Sequence, residues 1–277
     1  FDIHQKDVHL MLEHLINKST MYKKRLIDNY KKLYHLDIAY DDEASEYDSE
    51  DEDELLPDIP DSQFKQAIQT VAEHGDQTAQ FLMGDLLYHT SSNQSVEDAI
   101  TWYKQSAEQG FCHAQLVLGM IYKKGVDINQ SDTEAFKWFE KSAIQDNRIA
   151  QYYTAFMLKS GKGVNQSISQ AVDYYLKSAK NGYAKAQCKL GDLYRDGRGV
   201  DQSDEKAYLW YRESASMGYH WGQWNLGECY EKGRYVDQSL ENANKYYLDA
   251  AEEFRDASFK LGNGRIQTML ADKFRDG

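Results

Sequence analysis

Apolar and small residues recur along most of the chain at the spacing of paired amphipathic helices. Between Ala171 and Gln202 the apolar positions fit one helix, a turn at Gly182, a second helix and a glycine-rich exit loop. The same residue types return 36 residues before and 36 residues after this stretch. The repeated set comprises Ala99, Ala135, Ala171, Ala207 and Ala243, the aromatic residues Tyr103, Phe139, Tyr175, Tyr211 and Tyr247, and the alanines Ala107, Ala143, Ala179, Ala215 and Ala251. A fixed period of this length predicts stacked helix–turn–helix units rather than one globular core.

Glycines in the middle of the second helices indicate a tight helix contact. Gly119, Gly191 and Gly227 occupy one position of the repeat, and Ala155 is the conservative replacement. A glycine inside a helix costs about 1 kcal/mol relative to alanine. Because this cost recurs from repeat to repeat, we expect a neighbouring helix to approach too closely for a larger side chain.

Local signals also predict where the helices begin and end. Gly182 and its equivalents lie where a helix C-terminus needs a left-handed residue, and Asp146 fills that position once. Ser131 and Ser167 open capping boxes at the starts of the next helices. The copy that begins at Ala243 aligns with the others only if extra residues are inserted, so we expect an extended helix there.

These patterns predict an all-α fold, a right-handed superhelical solenoid of about six antiparallel helix pairs over residues 64–277. Residues 1–40 have the pattern of a helical hairpin. Residues 41–60 are expected to form a disordered acidic linker, because their charge density opposes collapse. Ser45 and Ser49, each followed by an acidic residue three positions later, match a weak phosphorylation pattern. Since the chain begins with Phe1 rather than methionine, we interpret it as a piece of a longer protein.

The charge is concentrated in one segment. The net charge is −13, and Asp41–Glu54 carries ten acidic residues and no basic one, so the rest of the chain is nearly balanced. No basic stripe of the kind that binds nucleic acid is present in the sequence. No apolar run is long enough to insert into a membrane. The cysteines form no C-x-x-C pair, which favours a reducing, cytoplasmic location. The endoplasmic reticulum lumen is the alternative if a leader precedes Phe1.

The residues that recur carry a resemblance to a known family. In one copy they are Ala207, Trp210, Tyr211, Ala215, Gly218, Leu226, Gly227, Tyr230 and Gly233. Together with the Gly-x-Gly-Val loops at Gly161 and Gly197, this set resembles the Sel1-like repeat family, relatives of the tetratricopeptide repeats. The resemblance covers about Phe64 to Gly277 and implies a non-catalytic adaptor or scaffold without a cofactor or metal. The alternatives are a regulatory repeat region of a larger enzyme such as a kinase, or an activator subunit of a membrane enzyme such as chitin synthase.

The resemblance also implies that the second helix of each pair lines a concave groove. The candidate partner-binding residues are Leu116, Met120, Lys123, Lys124, Tyr152, Phe156, Lys159, Lys185, Arg195, Trp221, Trp224 and Glu228. Large apolar side chains beside cations suit a peptide with apolar anchors and acidic flanks, and the acidic linker is a candidate occupant in cis. The alternative is that these apolar side chains pack on an adjacent repeat or on the N-terminal hairpin. The oligomeric state stays open.

Overall fold

The computed structural model describes residues 61–88, 93–125 and 128–261, and over these residues the chain forms eleven α-helices and no strand. They are α1 (Asp61–Glu73), α2 (Gln77–Tyr88), α3 (Asn93–Glu108), α4 (Cys112–Lys124), α5 (Asp132–Ile144), α6 (Arg148–Ser160), α7 (Ile168–Lys180), α8 (Ala184–Asp196), α9 (Asp204–Ser216), α10 (His220–Lys232) and α11 (Leu240–Leu261). The predicted all-α fold is confirmed. The hairpin predicted for residues 1–40 and the acidic linker predicted for residues 41–60 lie outside the described residues.

The chain divides into two compact units, Phe1–Asn147 and Arg148–Gly277. Within each unit, every described helix packs against the helices that precede and follow it in the chain. In the second unit, α8 also contacts α10, so the second helices of successive pairs lie side by side. This neighbour-to-neighbour packing is what a repeat array requires, because no single helix pair can bury its apolar face alone.

The helix ends follow the local signals. Ser131 Oγ accepts a hydrogen bond from the backbone N–H of Glu134 at 3.2 Å, and Ser167 Oγ accepts one from Gln170 at 3.4 Å. Asp146 has a φ of 61°, a left-handed conformation that is uncommon for a residue with a side chain. The extended final helix is also confirmed, since α11 runs for 22 residues.

The mid-helix glycines are required by the ring that packs on them. A Cβ atom on Gly119 would lie 2.6 Å from the ring of Phe139, and one on Gly191 would lie 2.5 Å from the ring of Tyr211. These distances are shorter than van der Waals contact, so a side chain there would displace the aromatic ring. The close approach predicted from the sequence is confirmed.

Buried serines link each first helix to the helix before it. Each serine hydroxyl donates to the carbonyl of a residue in the first turn of the preceding second helix. The bonds run from Ser106 to Gln77, from Ser142 to Cys112, from Ser178 to Arg148 and from Ser214 to Ala184, at 2.6 to 2.8 Å. These serines are fully buried, so each bond satisfies a hydroxyl that would otherwise be costly to desolvate.

Glutamines form a second set of links. Gln80, Gln115 and Gln187 each donate from Nε2 to a carbonyl eight residues earlier, at 3.0 to 3.2 Å. The amide oxygens of Gln80, Gln115 and Gln151 accept bonds from Gln109, Gln145 and Asn181, respectively. The amide oxygen of Gln187 is buried and has no hydrogen-bond partner. Its repeat-equivalent donor would be residue 217, which is a methionine.

Candidate functional site

In the first unit, the apolar groove candidates are buried. Leu116 and Met120 on α4 are each 2% exposed, so the prediction that these side chains face an open groove is wrong. Burial removes their apolar surface from water, which is the more favourable state for long aliphatic side chains. Lys123 is half-buried and Lys124 is exposed, both in the last turn of α4, where cations complement the helix dipole.

In the second unit, the two tryptophans of α10 differ in their environment. Trp224 is 6% exposed and packs with Ala243 and Tyr247 of α11, with 4.8 Å between its ring centroid and that of Tyr247. The expectation that Trp224 is accessible to a partner is therefore wrong, because this side chain belongs to the core between α10 and α11. Trp221 is half-buried and packs at the edge of that core and of the neighbouring core around Tyr211.

Tyr152 and Phe156 on α6 are half-buried. The ring centroid of Tyr152 lies 5.3 Å from that of Tyr183 and 5.7 Å from that of Tyr175. Burial raises the pKa of Tyr152 to about 12, with smaller contributions from Cys188 and Asp192 on α8. The hydroxyl of Tyr152 thus stays protonated and lies close to the charged groups of α8.

A charged cluster surrounds Asp192 in the middle of α8. Its carboxylate accepts a hydrogen bond from Lys189 Nζ at 3.0 Å and lies 3.4 Å from Arg195 Nη1. Tyr211 of α9 donates its hydroxyl to the same carboxylate at 3.0 Å. Asn225 Nδ2 of α10 lies at 3.5 Å from it. Asp192 therefore connects three successive helices through one carboxylate.

The cluster continues to the end of α8. Arg195 Nε donates to Asp196 at 2.9 Å, and Arg198 lies 3.0 Å from the other oxygen of that carboxylate. The hydrogen bond from Arg195 lowers the pKa of Asp196, and Arg195 and Arg198 lower it further through their charges. Asp196 is therefore ionised at neutral pH and holds both guanidinium groups in place.

Lys159 at the end of α6 interacts electrostatically with the same charged groups. Burial lowers the pKa of Lys159, and the nearby cations Lys189 and Arg198 lower it further, while Asp192 and Asp196 act in the opposite direction. Four cations, Lys159, Lys189, Arg195 and Arg198, thus surround two carboxylates. We call these six residues the α8 charged cluster. Its net positive charge attracts anionic groups.

Glu228 lies on α10, close to Arg195 of the α8 charged cluster. Arg195, Asn225 and Glu228 line a small pocket that residues of α8, α9 and α10 enclose, and Glu228 is bonded to Lys232 at 3.1 Å. Lys185 in the first turn of α8 is half-buried. Tyr152, Lys159 and Arg195 therefore all lie near Asp192, and Glu228 lies near Arg195.

Sequence reasoning missed Lys189 and Asn225. Lys189 could have been found, because it stands three residues before Asp192, the spacing of a helical ion pair. Asn225 carries no such signal, since its contacts with Cys188 and Asp192 depend on how α10 packs on α8.

The described ranges contain neither a metal centre nor a membrane-spanning helix. No group of three or more His, Cys, Asp or Glu side chains there is arranged to hold a metal ion. Among the helices that the structure describes, none is both long and apolar enough to cross a membrane.

The sequence pattern of the Sel1 repeat matches this chain five times, at residues 77–111, 112–147, 148–183, 184–219 and 222–253. The chain belongs to the Sel1 repeat family. Each matched repeat combines the second helix of one pair with the first helix of the next, as α6 and α7 do. The serine and glutamine bonds described above thus act within a Sel1 repeat or at its boundary.

Solved structures of Sel1 repeat proteins share this fold. A protective antigen of uropathogenic Escherichia coli with an SLR fold aligns at 28% identity and a TM-score of 0.67, over 78% of this chain and 44% of that chain. A Sel1 repeat protein from Oxalobacter formigenes aligns at 26% identity and a TM-score of 0.66, over 78% of this chain and 95% of its own. The chain thus spans less than half of the E. coli antigen. The comparison with curated proteins gave no match.

Proposed function

We propose that this protein is a non-catalytic scaffold that binds an acidic segment of a partner protein across α6, α8 and α10. Sel1 repeat proteins generally serve as protein-interaction scaffolds. The observation that carries the proposal is the α8 charged cluster, in which four cations surround two carboxylates on a face shared by successive second helices.

Electrostatics favour an acidic ligand over a basic one. Asp192 is engaged by Lys189, Arg195 and Tyr211, and Asp196 is engaged by Arg195 and Arg198. Both carboxylates are thus occupied within the cluster, whereas the cations have remaining N–H donors for a carboxylate of a partner. Arginine is well suited to this role because its planar fork binds carboxylates in two-point geometry.

Apolar anchors lie beside the cluster. Tyr152, Phe156 and Trp221 are half-buried, so each ring is fixed by packing and still presents part of its surface. Fixed aromatic side chains lose little conformational entropy on binding and supply much of the contact energy of protein interfaces. We propose that they hold apolar residues of the partner while the cations hold its acidic flanks.

The test measures binding of a synthetic peptide with the sequence of residues 41–54, labelled with fluorescein, by fluorescence anisotropy. A second peptide carries Asn and Gln in place of the acidic residues. We expect the acidic peptide to bind more tightly than the neutral one, with an affinity that falls as salt is raised. Combining Lys159→Gln with Arg195→Gln should weaken binding by about tenfold or more, because removing interface cations reduces both attraction and fixed contacts.

Matched controls separate the site from the fold. Lys137→Gln removes an exposed cation of α5 and should leave the affinity unchanged. Trp221→Ala should weaken binding and lower the melting temperature less than Trp224→Ala does, because Trp224 is buried in the core and Trp221 lies at its edge. Equal binding of the two peptides, or full affinity in the Lys159→Gln, Arg195→Gln protein, would refute the proposal.

A further inference from the structure

A row of four tyrosines lies in the second unit, apart from the α8 charged cluster. The ring centroids of Tyr235 and Tyr208 are 5.6 Å apart, and those of Tyr208 and Tyr230 are 6.1 Å apart. The rings of Tyr230 and Tyr246 are stacked, with an interplanar angle of 11° and centroids 5.7 Å apart. The hydroxyls of Tyr208 and Tyr230 are 3.2 Å apart and share a hydrogen bond. These four residues, the tyrosine row, form a continuous aromatic strip from the loop before α11 to α11 itself.

Tyr235 has an unfavourable backbone conformation. Its φ is 64°, in the left-handed region, where a bulky side chain is an outlier. The equivalent residues of the two preceding repeats are Gly163 and Gly199, with φ of 69° and 73°. The backbone at this position of the repeat has a positive φ, which favours glycine, but this repeat has a tyrosine there.

The side chain of Tyr235 adds little to the core. It is 53% exposed, and its hydroxyl donates to the exposed Glu205 at 3.1 Å. Strain that persists without a compensating burial is a feature of functional positions. One repeat earlier, Gly199 and Val172 stand in place of Tyr235 and Tyr208, so the row is particular to this end of the unit.

We propose that the tyrosine row is a docking surface for a proline-rich segment of a partner in the polyproline II conformation. Pyrrolidine rings pack on the faces of aromatic side chains. Because the Tyr208 and Tyr230 hydroxyls share one hydrogen bond, one of these two and the Tyr246 hydroxyl remain as donors for carbonyl groups of the ligand. A polyproline II segment has carbonyl acceptors that are unsatisfied within its own backbone, so a surface of rings and hydroxyl donors complements it. This surface is separate from the acidic-peptide site and does not depend on it.

The polar groups of the row favour this ligand over a saccharide. A saccharide presents a dense set of hydroxyls that need carboxylate or amide partners. The four rings present phenol hydroxyls. Glu205 is already bonded to Tyr235, and Asp249 acts on Tyr246 through its charge. The two donors that remain beside the aromatic rings match the widely spaced carbonyl acceptors of a proline-rich chain.

The mutual contacts of the row also reduce the entropy that binding would cost. The hydrogen bond between Tyr208 and Tyr230 and the stacking of Tyr230 on Tyr246 fix three rings before a ligand arrives. Rigid aromatic surfaces of this kind lose few rotamers on binding.

The test uses the whole chain and a fluorescein-labelled decaproline peptide, measured by fluorescence anisotropy against a labelled Gly-Ser peptide of equal length. We expect saturable binding of decaproline and none of the Gly-Ser peptide. Tyr235→Gly should weaken binding by about tenfold, because one ring of the row is lost. Its melting temperature should be unchanged or higher, because glycine adopts this φ without strain.

Three further variants locate the site. Tyr246→Ala should weaken decaproline binding by a similar factor, whereas Tyr174→Ala, at the equivalent position two repeats earlier, should not. The Lys159→Gln, Arg195→Gln protein should bind decaproline like the unmodified chain, so failure of the acidic-peptide proposal and failure of this one are distinguishable.

Several results would overturn this inference. One is the absence of saturable decaproline binding, and another is full affinity in both Tyr235→Gly and Tyr246→Ala. A third is displacement of the decaproline by maltoheptaose, which would identify the surface as a saccharide site. A clear fall in melting temperature for Tyr235→Gly would show that Tyr235 is retained for packing and would remove the argument from strain.

Discussion

The repeated aromatic residue of each first helix shows how one side chain depends on its partner. Tyr211 donates to Asp192 at 3.0 Å, and Tyr103 lies 3.5 Å from the equivalent carboxylate, Asp85. In the repeat where this carboxylate is replaced by Met120, the tyrosine is replaced by Phe139, so neither polar group is present. Hydroxyl and acceptor are therefore present together or absent together at these three pairs.

Tyr175 departs from this rule. The position that supplies Asp192 in the next repeat holds Phe156, and the buried hydroxyl of Tyr175 has no hydrogen-bond partner. A buried polar group without a partner loses its hydration without compensation, at a cost of about 1–3 kcal/mol.

Removing these two hydroxyls should thus have opposite effects. We expect Tyr175→Phe to raise the free energy of unfolding by about 1 kcal/mol, and Tyr211→Phe to lower it by about 1–2 kcal/mol by taking a donor from Asp192. Urea denaturation of the two variants measures both values. Equal destabilisation would mean that the Tyr175 hydroxyl has a partner in solution.

At the scale of the helix, the glutamine links predict a stabilising substitution. Gln109, Gln145 and Asn181 donate to the glutamine of the preceding second helix, and Met217 occupies the same helix-end position in the next repeat. Its backbone conformation, with φ of −84° and ψ of 12°, is close to the −80° and 15° of Asn181. A polar side chain at residue 217 should therefore reach the unpaired amide oxygen of Gln187.

We expect Met217→Gln to raise the free energy of unfolding by about 1 kcal/mol through this hydrogen bond. Thermal denaturation compares it with Met217→Leu, which keeps the apolar character and should not stabilise. If both variants melt alike, the amide of Gln187 is satisfied by water.

The ends of the helices were predictable from the sequence, whereas the exposure of their side chains was not. Ser131, Ser167 and Asp146 act through their nearest neighbours in the chain, so the helix ends were predictable from local chemistry. The groove was predictable only in part, because exposure depends on what packs over a helix. Leu116 and Trp224 have the same position pattern as Tyr152, yet they are buried, and the pattern alone contains no information on that difference.

At the scale of the whole molecule, Asp85 makes stability depend on pH. It is 5% exposed, and burial raises its pKa from 3.8 to about 7, while its hydrogen bond with Tyr103 opposes the rise. The folded state therefore binds this proton more tightly than the unfolded chain does. The stabilising contribution of the protonated form is complete below pH 4 and is lost as the pH rises through 7.

We expect the first unit to be more stable at pH 5 than at pH 8, by up to a few kcal/mol for this group alone. Asp85→Asn keeps a hydrogen-bonding side chain without the charge and should remove most of that difference. Urea denaturation at both pH values gives the comparison. A pH dependence that is unchanged in Asp85→Asn would assign the effect to other groups.

The serine links have a consequence for the order in which the array comes apart. At the position of Ser106, Ser142, Ser178 and Ser214, α11 carries Ala250, which has no hydroxyl to donate to the helix before it. Its attachment to α10 combines the apolar contacts of Trp224 with one hydrogen bond from the Tyr247 hydroxyl to Glu231 at 3.0 Å and the stacking of Tyr246 on Tyr230. A helix that lacks one of the bonds holding its neighbours opens locally at a lower free energy. Amide protons of α11 should thus exchange with deuterium sooner than those of α9, which keeps its serine bond to α8.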